Sequence, residues 1–192
     1  MSSARCRQIV LGIGNAERGD DAAGRTVARL LQGRLPDDVE IAEIEGEAME
    51  LLARFEGVDA AFLVDACWSG APAGTIRRLD VNVTPLQQGL FSLSTHGFGL
   101  AEAVELARVL TQLPPHCVVY AIEGDSFETG APLSQAVAVA VADVAARLRT
   151  EIGDADTMAL RHDGQIIRED SSDNQADGCA EPGACATVRR GR

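Results

Sequence analysis

The chain has 192 residues, of which 46% are hydrophobic and 4% aromatic, and its formal net charge is −12 at pH 7. This composition predicts one domain with a mainly aliphatic core. The acidic charge argues against nucleic acid or an anionic membrane as a partner, because both require clustered positive charge. No segment approaches the length of a membrane span and the N-terminus lacks an apolar targeting region, so we expect a cytoplasmic protein.

The opening segment Gln8–Gly24 predicts a buried strand, a tight turn and the start of a helix. It begins with a short run of aliphatic residues, which is typical of a strand covered on both faces. Gly12 and Gly14 allow the chain to turn sharply after this run. Asp20 and Asp21 then precede apolar residues at helical spacing. Two carboxylates are therefore delivered to the carboxyl edge of a central strand, where open α/β sheets bind their ligands.

The rest of the chain alternates between helical and strand patterns. In chain order the predicted elements are a helix at 22–32, a strand at 39–45, a helix at 47–56, a strand at 60–66, a strand at 75–83, a helix at 99–113, a strand at 117–123 and a helix at 135–151. Charged residues within 75–83 place that strand at an edge of the sheet. Residues 85–95 show no regular pattern. The alternation predicts an α/β fold with a doubly wound, mostly parallel sheet.

The composition changes near the C-terminus. We assign residues 1–153 to one α/β domain and residues 154–192 to an acidic tail with few branched aliphatic side chains. The pair Asp163-Gly164 suits the turn of a short hairpin at 157–168. From Asp170 onward the composition predicts disorder.

The five cysteines are scattered and odd in number, and none forms a closely spaced pair. This argues against a disulfide framework. Cys67 and Cys117 lie in apolar strand patterns and are predicted to be buried hydrophobic residues. Cys179 and Cys185 lie in the tail without a nearby histidine, which makes them a weak indication of a metal site.

A glycine turn after a strand also suggests a dinucleotide-binding loop, but several features argue against it. The fingerprint requires a third glycine at position 17, where the chain has Glu17. The carboxylates of Asp20 and Asp21 would repel a pyrophosphate, and the chain has no lysine for a phosphate-binding loop. The GxSxG motif of serine hydrolases and the HExxH motif of zinc peptidases are also missing from the sequence.

Three side chains remain as candidates for a shared site, namely Asp21, Asp65 and His96. Each follows or ends a predicted strand, so all three can converge at one edge of the sheet. Two carboxylates and an imidazole suit a divalent transition metal with open positions. Taken singly, Asp21 favours a helix N-terminus, Asp65 accepts loop hydrogen bonds and His96 is an ordinary loop histidine. Their joint placement favours a functional site.

Three segments resemble the signatures of the [NiFe]-hydrogenase maturation endopeptidases. They read VLGIGNAERGDDAAG, FLVDACWSG and STHGFGLAEAVELA, and they occur in the family's order. The segment IEGD at 122–125, followed by Leu133 and Ser134, also looks similar to the family. The resemblance runs from about Gln8 to Leu148 and leaves out the tail.

This resemblance implies a three-layer α/β/α sandwich. It also implies an endopeptidase that removes the C-terminal extension of the hydrogenase large-subunit precursor after nickel insertion. The family's metal-contacting positions fall on Asp21, Asp65 and His96, so we expect these residues to be catalytic and to contact nickel carried by the substrate. The family often has glutamate at the first of these positions, and the side chain of Asp21 is shorter than that of glutamate. Residues 45–48 depart from the family's Asp-Gly-Gly-Thr-like recognition motif, which leaves the hydrogenase class open.

Two other functions stay open from the sequence. One is a metal-binding accessory protein that docks on the large subunit without cutting it, which predicts a stable complex and no released peptide. The other is a nucleotide-binding α/β domain, which nucleotides would stabilise against heat. We expect a monomer, because a large protein substrate requires an open face.

Overall fold

The computed structural model describes residues 6–86 and 99–162, with side chains described up to residue 153. The elements are β1 (Gln8–Ile13), a 3₁₀ helix (Gly19–Ala22), α1 (Ala23–Leu31), β2 (Val39–Ile44), α2 (Ala48–Phe55), β3 (Ala60–Cys67), β4 (Ile76–Asp80), α3 (Leu100–Val109), β5 (His116–Glu123) and α4 (Gln135–His162). The predicted order of helices and strands is confirmed. The predicted irregular segment 85–95 lies mostly outside the described residues.

The strands form one five-stranded sheet in the order β2-β1-β3-β5-β4. Strands β1, β2, β3 and β5 are parallel, and β4 pairs antiparallel with β5 at the edge, as its charged residues predict. The chain goes from β1 outward to β2 and then returns to β3 on the other side. The carboxyl ends of β1 and β3 therefore form the switch point at which doubly wound sheets bind ligands.

Alternate residues of the central strands point to opposite faces of the sheet. Leu11 and Leu63 belong to a core that includes α2 and α3. Val10 and Phe62 belong to a second core that includes α1 and α4. Two cores on one sheet make a three-layer α/β/α sandwich, and the predicted fold class is confirmed.

Two glycines bring α1 unusually close to the sheet. A Cβ atom on Gly24 would overlap the carbonyl oxygens of Val64 and Ile13, and one on Gly12 would overlap the carbonyl oxygen of Gly24. Any larger side chain would push the helix outward. The start of α1, with the acidic residues before it, is therefore held against the carboxyl ends of β1 and β3.

The last helix is longer than the sequence analysis predicts. It continues to His162, so residues 157–162 are helical and the hairpin predicted at 157–168 is wrong for that part. The segment contains good helix formers such as Met158, Ala159 and Leu160, and no proline interrupts it. The rest of that hairpin and of the tail lies outside the described residues, and the division at residue 153 stays a prediction. Within the described part of the chain, no helix combines the length and apolarity required to span a membrane.

The turn after α3 contains a residue with a strained backbone. Thr111 has a φ of 57°, in the left-handed region where a β-branched residue costs about 1–2 kcal/mol. We expect Thr111→Gly to raise the free energy of unfolding by about 1 kcal/mol, measured by urea denaturation. The control is Thr150→Gly within α4, which should lower stability because glycine disfavours helix interiors. A loss of stability in both variants would contradict the proposed strain at Thr111.

Candidate active site

Asp21 lies in the 3₁₀ helix that connects β1 to α1. The Asn15 N–H donates a hydrogen bond to its carboxylate at 3.2 Å, and the Arg18 guanidinium lies 3.7 Å from the same oxygen. Its side chain keeps 15% of its surface exposed. Burial raises the pKa of Asp21, and the Asn15 N–H and the Arg18 charge oppose this rise. Asp21 is thus a mostly buried carboxylate that is fixed in direction and keeps a small exposed surface.

Asp65 lies near the carboxyl end of β3 and is 8% exposed. Burial and the nearby negative charge of Asp21 raise the pKa of Asp65 well above its ordinary value, while the Ala66 N–H opposes the rise. The fold therefore places the two carboxylates close enough for their charges to repel. Such a pair accommodates either a shared proton or a cation.

The third predicted residue, His96, lies outside the described residues. Its position relative to Asp21 and Asp65 stays a prediction, as do the catalytic and metal-binding roles of all three. Among the described side chains, no three His, Cys, Asp or Glu residues group closely enough to hold a metal ion.

Asp20 has a different environment from its neighbour Asp21. It is fully buried, and its carboxylate accepts hydrogen bonds from the N–H groups of Asp125 at 2.8 Å, Ser126 at 3.0 Å and Ser134 at 2.7 Å. Asp20 therefore connects the loop after β5 to the segment that carries Asp21. This carboxylate stabilises the loop and does not face the site.

Glu123, at the carboxyl end of β5, is a buried residue that the sequence analysis named only within the family-like segment 122–125, without a role of its own. Its carboxylate accepts hydrogen bonds from the Ser69 N–H at 2.6 Å, the Ser69 hydroxyl at 2.6 Å and the Gly70 N–H at 2.8 Å. Burial acts to raise its pKa, but the hydrogen bonds from Ser69, Cys67 and Gly70 outweigh burial and lower it. Glu123 is therefore an anchor for the loop after β3. The available signal was a buried strand ending in a carboxylate, the same pattern that drew attention to Asp65.

The prediction that Cys67 and Cys117 are buried is confirmed. Burial raises the pKa of both thiols to about 12, and for Cys67 the hydrogen bond that it donates to Glu123 adds to the rise. Both thiols stay protonated at neutral pH, and a protonated thiol is a poor nucleophile. Cys67 is therefore a packing residue, although it is close to Asp65 in sequence.

The family to which the chain belongs follows from its similarity to known proteins. The sequence model of the hydrogenase maturation proteases matches residues 25–151, more than half of the chain. The chain belongs to the hydrogenase maturation protease family. The matched region contains Asp65 and position 96 and begins after Asp21.

Individual relatives agree with this assignment to the maturation proteases. The chain is 32% identical to the hydrogenase 2 maturation protease of Escherichia coli over 127 residues, 64% of this chain and 76% of that protein. It is 27% identical to the hydrogenase expression/formation protein HupD of Thiocapsa roseopersicina over 117 residues, 60% of this chain and 53% of that protein. The solved structure of the maturating endopeptidase HybD from E. coli superposes with a TM-score of 0.64 at 28% identity, covering 82% of this chain and 94% of that one.

Proposed function

We propose that this maturation protease removes the C-terminal extension of a [NiFe]-hydrogenase large-subunit precursor once nickel is in place, and so activates the hydrogenase. The observation that carries the proposal is the pair of repelling carboxylates, Asp21 and Asp65, at the switch point of a maturation protease fold. We further propose that the enzyme acts as a monomer, since the substrate is itself a large protein and requires an open face. We propose that it acts in the cytoplasm.

The charges at this site favour a cation that arrives with the substrate. The negative charge of Asp21 raises the pKa of Asp65, and a divalent ion bound beside both carboxylates would offset this repulsion. In the described part of the chain they have no third ligand, so a site formed by this pair binds a free ion modestly. The precursor's own nickel, contacted by Asp21, Asp65 and His96, would complete the coordination and signal that insertion is finished.

The chemistry at this centre is peptide hydrolysis. A water molecule attacks the carbonyl carbon of the scissile bond, and Asp21, the more exposed carboxylate, accepts a proton from it. The C–N bond then breaks, the released amine takes up a proton, and the extension leaves as a peptide with a new N-terminus. Asp65 contributes the second carboxylate of the centre from near the end of β3.

Nickel dependence tests this proposal. The precursor is incubated with the protease in nickel-loaded and nickel-free form, and its intact mass is read over time. We expect only the loaded form to lose a C-terminal peptide, with His96→Ala slowing the loss at least about a hundredfold.

The other outcomes contradict parts of the proposal. Equal cleavage of both forms would contradict nickel as the recognition signal. A stable complex without any change in mass would favour the accessory-protein function instead.

A further inference from the structure

An aromatic pair lies at the carboxyl edge of the sheet, the same edge at which the carboxylates lie. Trp68, the single tryptophan of the chain, follows β3 directly and is 52% exposed. Its ring meets Phe127 edge to face, with centroids 5.8 Å apart and an interplanar angle of 73°. Phe127 follows β5, and β3 lies between β1 and β5. The carboxylates therefore occupy the β1–β3 position and the aromatic pair occupies the adjacent β3–β5 position.

The backbone on both sides of Trp68 is held by hydrogen bonds to the end of β5. The preceding carbonyl, that of Cys67, accepts a hydrogen bond from the Gly124 N–H at 3.0 Å. The following N–H, that of Ser69, donates to the buried carboxylate of Glu123. The backbone that carries the large apolar side chain of Trp68 is thus held in place by hydrogen bonds on both sides.

Phe127 is positioned by the segment that carries Asp21. Its ring lies against Gly124 so closely that a Cβ atom on Gly124 would overlap it. The two residues before Phe127, Asp125 and Ser126, donate hydrogen bonds to Asp20. The aromatic pair and the carboxylate pair are therefore connected through Asp20 and share one rigid frame.

A fixed, half-exposed tryptophan is well suited to binding. Tryptophan buries a large area on contact, and its indole N–H keeps a polar end in water. Because the backbone around Trp68 is held and its ring packs on Phe127, the side chain has less conformational entropy to lose when a ligand covers it. These properties make tryptophan the residue type most enriched at energetically dominant contacts.

We propose that Trp68, supported by Phe127, binds an apolar side chain of the precursor's C-terminal segment next to the scissile bond. This inference rests on the proposed function and adds a specificity contact to it. An extended peptide with its scissile bond at Asp21 and Asp65 would pass over β3 and reach Trp68. The aromatic pair would thus determine which peptide bond of the precursor is placed at the two carboxylates.

Kinetics with the nickel-loaded precursor test the contact. We expect Trp68→Ala to raise KM about thirtyfold with little change in kcat, and Trp68→Phe to restore most of the loss. The matched control is Val109→Ala, since Val109 is 78% exposed at the far end of α3, on the opposite edge of the sheet. This control should cleave as the wild type does. Unchanged KM in Trp68→Ala, with normal wild-type cleavage, would overturn the inference and leave the proposed function intact.

A second measurement is independent of catalysis. Protease labelled with 5-fluorotryptophan carries one fluorine, at Trp68, and the unlabelled precursor adds no signal of its own. We expect precursor to shift this resonance and to reduce its H₂O–D₂O solvent shift. If the wild type fails to cleave, a shifted resonance still supports the contact while the proposed function fails. An unshifted resonance overturns the contact.

Discussion

Replacing Asp65 by asparagine is expected to abolish precursor cleavage and, at the same time, to stabilise the fold at neutral pH. Asparagine keeps the size of the side chain and removes the charge that burial and Asp21 disfavour. We expect cleavage to fall by at least about a hundredfold and the free energy of unfolding to rise by about 1 kcal/mol. For a domain of this size, that rise corresponds to about 3 °C in Tm.

The pH dependence of this effect follows from the direction of the pKa shift. The folded-state pKa of Asp65 lies above the ordinary value of 3.8, so the folded state binds the proton more tightly than the unfolded state. As pH rises above about 4, the unfolded state loses this proton first, and wild-type stability falls relative to Asp65→Asn until the folded-state pKa is passed. Melts of both proteins from pH 4 to pH 8 measure the difference.

The control for Asp65→Asn is Asp143→Asn, at an exposed position of α4. It should change neither cleavage nor the pH dependence of Tm. Retained cleavage in Asp65→Asn would remove Asp65 from the site. If the difference in Tm between the wild type and Asp65→Asn stays constant with pH, the ionised form of Asp65 does not destabilise the fold.

Asp20→Ala is expected to cause the largest loss of stability. The substitution leaves three backbone N–H groups, those of Asp125, Ser126 and Ser134, without their buried acceptor. Unsatisfied buried donors cost about 1–3 kcal/mol each, and partial access of water reduces the sum. We expect a loss of about 3 kcal/mol in the free energy of unfolding, measured by urea denaturation.

The neighbouring Asp125→Ala is the matched control for Asp20→Ala. Its side chain is exposed in the same loop, so stability should change by no more than about 0.5 kcal/mol. A loss of about 3 kcal/mol in both variants would mean that the effect is not specific to the Asp20 acceptor. A small loss in both would mean that water replaces the acceptor.

The sequence pattern was sufficient to predict the layers of the fold and the edge of the sheet at which the carboxylates lie. Alternating strands and helices determine a doubly wound sheet, and the charged residues of 75–83 suit only an edge strand. Local pattern also places Asp21 after β1 and Asp65 near the carboxyl end of β3, because the glycine turn and the buried run ending in Asp65 are short-range features.

The different roles of Asp20 and Asp21 could not be predicted. The two residues are adjacent and chemically identical, and what separates them is a set of donors at least 105 residues away in the chain. The role of Glu123 likewise depends on the loop after β3, which meets β5 only in the folded sheet. The end of α4 was predicted too early for a local reason, because residues of good helix propensity continue the helix to His162.

The most direct test of the two-carboxylate centre is the intact mass of nickel-loaded precursor after incubation with wild-type protease or with Asp21→Asn. Asparagine retains the shape of Asp21 but cannot accept the proton of the attacking water. We expect the wild type to release a C-terminal peptide and the variant to leave the mass of the precursor unchanged. Equal release by both proteins would contradict it and place the chemistry elsewhere in the fold.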